Sequence, residues 1–306
     1  LMKLTKTQLA PDVPAELTMT KTYKDRSRPD RNFVKNCWSI ILIFGLLIFA
    51  STLSAQTTEV RDRTALRVCA DPGNLPFSND KEEGFENKIA EVVAEELQIP
   101  IHYTWFPQTR GFIRNTLRVR KCDLVMGISS SHELLLNTNH YYRSVFVLFF
   151  RKDSGITGTQ LSDPQFRKLR IGVVAGTPPA NLMLKYELFD NHRPYQLIVD
   201  TRIQKSGRDM VADVASGEVD VGLLWGPIAG YYIGRQNVQM TVLPIRDEPD
   251  MPKMNYRITM GVRHGEIEWK RTLNKIIRKR QRDINQILMS YGLLLLDRKG
   301  NPIIVP

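Results

Sequence analysis

Cysteine and histidine are scarce in this chain, with three Cys and five His in 306 residues. The histidines are scattered and no Cys/His ligand spacing occurs, which excludes the usual zinc frameworks. A G-x-S-x-G nucleophile elbow and a phosphate loop are also missing, since "GVVAGTPP" is glycine-poor and proline-rich for a phosphate cradle. No stacking-and-basic motif of a nucleic-acid binder is present either. These absences point away from an enzyme and toward a binding protein.

Charge is absent from one long run. "NCWSIILIFGLLIFASTLSAQ", Asn36 to Gln56, follows Arg31 and Lys35 and ends in the small residues Ser51, Thr52, Ser54 and Ala55. That is the layout of a cleaved export signal. An uncleaved anchor is the competing reading, because the run from Cys37 approaches the ~20 residues that span a bilayer. Leu53 interrupts the small-x-small pattern, and a start at Met19 would leave a shorter basic leader. Residues 1–55 are thus read as leader and signal peptide, and the mature protein as periplasmic.

Export removes Cys37 and leaves Cys69 and Cys122 in an oxidising compartment. They flank the apolar runs "LRVCAD" and "CDLVMG", so either one disulfide or two buried thiols are expected. From Gln56 onward 35 Lys and Arg stand against 28 Asp and Glu, so a net charge of about +7 remains of the +11 overall. A basic exported protein suits an acidic protein partner or a membrane surface, and nucleic acid is not an expected partner.

What the sequence does contain is an alternation of strand and helix patterns, the mark of parallel α/β construction. "LRVCAD" reads as a strand, followed by a helix from about Phe85 with Ile89, Val92, Val93 and Leu97 on one face. "IHYTWFP" is a strand, "RGFIRNTLRV" a helix and "CDLVMGIS" a strand. The pattern then restarts with "LRIGVVAGT", a helix through Leu182 and Tyr186, "YQLIVD", a helix "RDMVADVASG" and "VDVGLLW". Two βαβαβ units in series, with "YRITMGVRH" and a long helix from about Glu266 to Tyr291 returning to the first, predict two lobes around a hinged cleft. The boundaries read as residues 56–150 and 250–306 for one lobe and 151–249 for the other.

The order of "DPGNLPFS", "GFENKIAE", "CDLVMGIS", "YYRSVFVLF", "VVAGT" and "VASGEVDVGLLWGPIAGYYI" resembles an extracytoplasmic solute-binding protein of the type 2 periplasmic binding protein fold. The resemblance spans nearly all of Leu66 to Asn301 and implies an α/β architecture of two lobes with mixed sheets joined by a two-stranded hinge. "LRVCADPGNLPFSN", "GFENKIAE" and "PQTRGFIRNTL" resemble, more narrowly, the MxaJ/XoxJ accessory proteins of PQQ-dependent methanol dehydrogenases. That implies a chaperone-like, non-enzymatic accessory of methanol metabolism, whose partner is the dehydrogenase and, in the same system, a c-type cytochrome. It also implies that PQQ and its metal, a lanthanide or calcium, belong to the partner enzyme and that this chain carries no cofactor of its own.

Amino-acid-binding members of the broad fold grip a zwitterion with an arginine after the third strand and an aspartate at the last strand tip of the second lobe. In this sequence "SSSHE" puts Ser131 or His132 in the arginine slot, and "LLWGP" puts Trp225 in the aspartate slot. Trp225 carries one N–H donor and no acceptor, so it cannot read an ammonium. It either stacks on a flat ligand or a partner, or fills the cleft as core.

Phe77, Trp105, Tyr141 and Tyr142 are candidates for an aromatic cleft floor, with core packing as the alternative, and Ser129 is a further cleft candidate. Gly176 and Thr177 precede a helix N-terminus, an anion site weakened by Pro178 and Pro179. Arg110, Arg114 and Arg118 recur every fourth residue as a basic stripe on one helix, a docking face or simply solvated surface. Glu86 and Asn87 read as first-turn residues that complement the helix dipole. Two functions fit these residues: the accessory protein, or a receptor that delivers a non-amino-acid ligand to a transporter.

Overall fold

The computed structural model of the chain describes residues 63–130 and 132–297. The signal-like run with Cys37, and Ser131 of the arginine slot, lie outside the described residues. Strands β1 (Leu66–Ala70), β2 (Gly73–Asn74) and β3 (Ser78–Asn79) lead to helix α1 (Phe85–Leu97). Then come β4 (Ile101–Trp105), a short α2 (Phe112–Asn115), β5 (Leu124–Ser129) and the long β6 (Leu136–Arg151). After β7 (Ile171–Val174), α3 (Pro178–Lys185), β8 (His192–Tyr195) and α4 (Ser206–Ser216), the chain forms β9 (Val221–Trp225) and α5 (Gly226–Ile233). It ends with β10 (Met240–Pro244), β11 (Asn255–Val262), α6 (Ile267–Lys279) and α7 (Gln281–Ser290).

One mixed sheet runs β4-β1-β5-β11-β6-β9-β7-β8, with β10 also on β6, and β2 and β3 pair as a small antiparallel ribbon. β1 pairs in parallel with β4 and β5, and β7 with β8 and β9, as the βαβ alternation predicts. β11 pairs antiparallel with β5 and with residues 136–145 of β6, while the end of β6 pairs with β9 and β10. Strand β6 thus belongs to both halves of the sheet. All four residues of β7 are buried, the continuous apolar run expected of a strand covered on both faces.

Helix α1 starts where Gly84 lets the chain turn in and Asn87 Oδ1 accepts from the Gly84 N–H at 3.1 Å, and it buries Phe85, Ile89, Val92 and Val93. A Cβ on Gly84 would fall 2.1 Å from the Phe77 carbonyl oxygen, so only glycine fits that entry. One core packs around the second half of the sheet and another around the first, and Trp225 and Tyr256 touch both. A third, small cluster surrounds the Cys69–Cys122 disulfide with Phe112, Ile113 and Leu117.

Three expected elements differ. The helix predicted over "RGFIRNTLRV" stops after four residues, where Thr116 leaves helical geometry at φ −125° and ψ −85°. Cys122 must return to β1 to form its disulfide, and Arg263 donates to the carbonyls of Leu117 and Cys122, so the chain is pulled into turns instead of a second helical turn. The arginine stripe is therefore not helical, because Arg110 precedes α2 and Arg118 follows it. "YQLIVD" pairs only through Tyr195, its neighbours in β8 being His192 to Pro194, and residues 196–200 leave the sheet. The single C-terminal helix breaks at Arg280, whose guanidinium bonds Glu95 and Asp283 and so holds the junction against α1.

A buried charge network anchors the first half. Asp123 accepts from Arg67 at 2.7 Å through each oxygen and pairs with Arg263, while its carbonyl accepts from Trp269 Nε1 at 3.0 Å. Burial pushes this carboxyl up, but the hydrogen bonds from Arg67 and Arg263 outweigh it and hold it below its ordinary value.

Candidate ligand cleft and basic face

The C-terminal ends of β7 and β9 open into a cavity of 360 Å³, the place where parallel strands of an open α/β sheet present their ligand groups. Leu224, Trp225 and Phe146 form one wall, joined by Ile228 and Tyr232 from α5. Phe146 and Trp225 are paired residues of β6 and β9, and their rings meet edge to face at 5.1 Å, with Tyr256 5.8 Å from Trp225. Trp225 is thus partly buried, packed against both cores on one side and lining the cavity on the other.

Segments from both halves of the sheet close the cavity. Buried Asp71, at the end of β1, accepts from Thr201 Oγ1 at 2.7 Å and from the Gly73 and Gln108 N–H groups at 2.9 and 2.6 Å. Gly73 comes so close that a Cβ there would lie 2.9 Å from the Thr201 carbonyl oxygen. Tyr232 donates to the Leu75 carbonyl at 3.1 Å from the other side.

Of the residues singled out in the sequence, the cavity brings together Thr177 and Trp225. Thr177 caps α3 by position, yet its hydroxyl donates to the Val174 carbonyl at 2.6 Å, and Pro178 and Pro179 follow without N–H groups to offer an anion. Gly176, at φ +77°, forms the turn before it but is not part of the lining. Tyr141 and Tyr142 are buried core, with Tyr142 packing edge-on against Phe85, and form no cleft floor. Phe77 packs against Phe85, and Trp105 stacks on Tyr103 at 4.6 Å, both away from the cavity.

Arg110, Arg114 and Arg118 are all exposed, and none of them ion-pairs with a described residue. They border two adjacent depressions, one lined by Arg110, Arg114, Ser129 and His132, the other by Arg114, Arg118, Glu133 and His264. Leu134, 54% exposed, lies in both. The three arginines thus form an exposed basic face in which Arg114 stands in α2 and Arg110 and Arg118 on the turns to either side of it.

Three features of the cleft escaped the sequence reading: Asp71 as the closing hub, the segment 196–205 as one rim, and the start of α4 at Ser206. The last had a signal in "QKSGR", a serine ahead of the apolar period Met210, Val211 and Val214. Among the described residues no group of three or more His, Cys, Asp or Glu is placed to hold a metal ion, and no helix is long and apolar enough to cross a membrane.

The mixed sheet and the cleft at its strand ends together are those of a binding protein. The chain belongs to the bacterial extracellular solute-binding proteins, family 3, which it matches over residues 66–293. It is 27% identical over 265 residues to Protein MoxJ of Methylorubrum extorquens, a match covering 80% of this chain and 86% of that protein. The crystal structure of the periplasmic binding protein XoxJ from Methylobacterium extorquens AM1 is 41% identical and superposes with a TM-score of 0.66, covering 76% of this chain and all of the other. MxaJ of Methlophaga aminisulfidivorans MPT, 21% identical with a TM-score of 0.68 over 76% of this chain and all of that one, shares the fold. These relatives bear out the resemblance to the MxaJ/XoxJ type and to the type 2 periplasmic binding protein fold.

The charged groups that line the cavity are Lys205 and Arg208, both cationic, and no carboxylate is among them. An α-ammonium would therefore be desolvated without an acceptor of full charge. Arginine, glutamate and glutamine are each expected to leave the melting temperature unchanged. A true ligand at a hundredfold excess over its Kd would add about 2.7 kcal/mol, so a saturable thermal shift with any of the three would contradict this.

Proposed function

We propose that this protein is a periplasmic accessory that docks on a PQQ-dependent methanol dehydrogenase and assists its activation or maturation. The observation that carries the reading is Trp225 at the tip of β9, packed against Phe146 and Tyr256 where an amino-acid receptor of this fold needs a carboxylate. The likeness to MoxJ and XoxJ and the basic face at Arg110, Arg114 and Arg118 support it. In this reading PQQ and its lanthanide or calcium reside in the dehydrogenase, a c-type cytochrome of the same system is a second partner, and this chain performs no catalysis. A receptor for a non-amino-acid ligand is the second reading, favoured by the 360 Å³ cavity itself.

The test is the association rate with the purified dehydrogenase. Exposed cations facing an acidic surface speed encounter, and the effect fades as the Debye length falls from ~10 Å at 0.1 M salt to ~3 Å at 1 M. We expect the rate to drop about tenfold or more across that range, and similarly in the Arg110→Glu, Arg114→Glu, Arg118→Glu triple variant. Stability should be unchanged in that variant, since exposed charges contribute little. A rate indifferent to both salt and charge reversal would rule out docking through this face.

A further inference from the structure

One polar end of the cavity beside Trp225 is the start of α4, and uncharged polar side chains such as Asn74, Gln108 and Gln196 line it elsewhere. This helix runs eleven residues from Ser206, and its N-cap residue, Lys205, makes no side-chain capping bond. The first N–H groups of a helix have no intrahelical acceptor, and the macrodipole adds about half a positive charge at that end. Ser206 lines the cavity, is only 8% exposed, and its buried hydroxyl has no hydrogen-bond partner. A buried hydroxyl left unpaired is costly, so its presence here marks a place for an acceptor.

The surroundings fix the sign and the shape of that acceptor. Lys205 also lines the cavity and ion-pairs with no described residue, whereas Arg208 is engaged by Asp209 at 2.9 Å. No carboxylate is in the lining, and the first-turn Asp209 is turned to Arg208, which leaves Lys205 as the cation at this end that no described carboxylate pairs. The apolar wall begins at once: a Cβ on Gly207 would lie 2.4 Å from Ile228 Cγ2, so the glycine seats the helix start directly against Ile228 and Leu224. Leu197 and Ile198, each more than half exposed, extend the apolar surface at the rim.

We propose that this cavity binds a small monocarboxylate with a flat or branched apolar body. The carboxylate accepts from Ser206 Oγ and the free N–H groups at the start of α4, with Lys205 beside it. The body lies against Trp225, Phe146 and Ile228. An amino acid is refused because its ammonium meets Lys205 and the same positive helix end. The site stands whether the protein is an accessory or a receptor, because it shares no residue with the basic face.

Phenylacetate is a suitable probe, followed by tryptophan fluorescence and titration calorimetry on the purified chain. Phenylacetamide keeps its shape without the charge, and phenylalanine adds the ammonium. Saturable phenylacetate binding at least about tenfold tighter than that of either control is expected. Ser206→Ala, which deletes a hydroxyl without a partner and should fold normally, is expected to weaken binding several-fold. Ser206→Asp, and independently Lys205→Glu, should abolish it while leaving the weak phenylacetamide signal in place. Equal affinity for acid and amide would overturn the proposal, as would binding indifferent to Ser206→Asp and Lys205→Glu, or no saturable binding of phenylacetate, benzoate or hexanoate at millimolar concentration. None of these outcomes depends on the dehydrogenase, so failure here and failure of the docking test are separate results.

Discussion

Replacing both Cys69 and Cys122 with alanine should lower stability by about 4 kcal/mol in the chain-entropy view of a disulfide that closes a loop of this length, 53 residues apart in sequence. Both sulfurs are buried, at 1% and 0% exposure, and the loop they close contains α1, β4 and α2. Without the bond, β1 and β5 still pair through Val68 and Leu124, so the fold should persist. The unfolded chain gains the freedom. For a chain of this size the loss corresponds to about 10 °C in melting temperature, and reductant should reproduce it in the unsubstituted protein once the bond is opened. A denaturant midpoint unmoved by the double substitution would show that the cross-link does not restrain the unfolded state.

The same disulfide shows where sequence reading succeeds and where it stops. Cys69 and Cys122 could be matched because each flanks an apolar run and such runs become neighbouring parallel strands. The run "VDVGLLWGP" likewise placed Trp225 at a strand tip, because a buried strand followed by a glycine and a proline leaves few alternatives. Arg110, Arg114 and Arg118 misled by their spacing: an i, i+4 period is helical only if nothing pulls the chain elsewhere, and here Cys122 and Arg263 do. "QLIV" failed for a related reason. Its apolar residues read as a buried strand, but Leu197 and Ile198 are exposed at the mouth of a cavity, and one sequence cannot separate an apolar run that packs from one that lines an opening. Ser206 was invisible as a site residue because its meaning comes from a missing partner, which only coordinates reveal.

Glu86 is the residue whose sequence context was most deceptive, and it carries the second large effect. At the second position of α1 it reads as a surface acid complementing the dipole, yet it is 8% exposed. A Cβ on Gly127, itself at φ +70°, would lie 2.1 Å from Glu86 Oε1, so the glycine makes the room this carboxyl occupies. Tyr141 and Tyr142, both buried, face it, and its charge helps to hold their hydroxyls well above the ordinary range after burial, the larger cause. Burial pushes Glu86 up to about 8. The helix dipole favours the anion but falls short of the desolvation penalty, since a first-turn contribution is about 0.3–1 kcal/mol. The sign follows from linkage: the unfolded chain releases this proton near pH 4.3, whereas the folded protein holds it until about pH 8. Stability is therefore lost as pH rises from about 4.3 to about 8, and the loss is complete above that, reaching on the order of 3–5 kcal/mol. Glu86→Gln removes the titration while nearly preserving the shape of the protonated acid. Its midpoint relative to the unsubstituted protein is expected to rise steadily between pH 5 and pH 8 and then level off, with the variant more stable by several kcal/mol at the plateau. Because every other carboxylate titrates alike in both proteins, the difference isolates Glu86. A difference between the two proteins that stays constant over that range would mean Glu86 is ionised in the folded state and solvated by water.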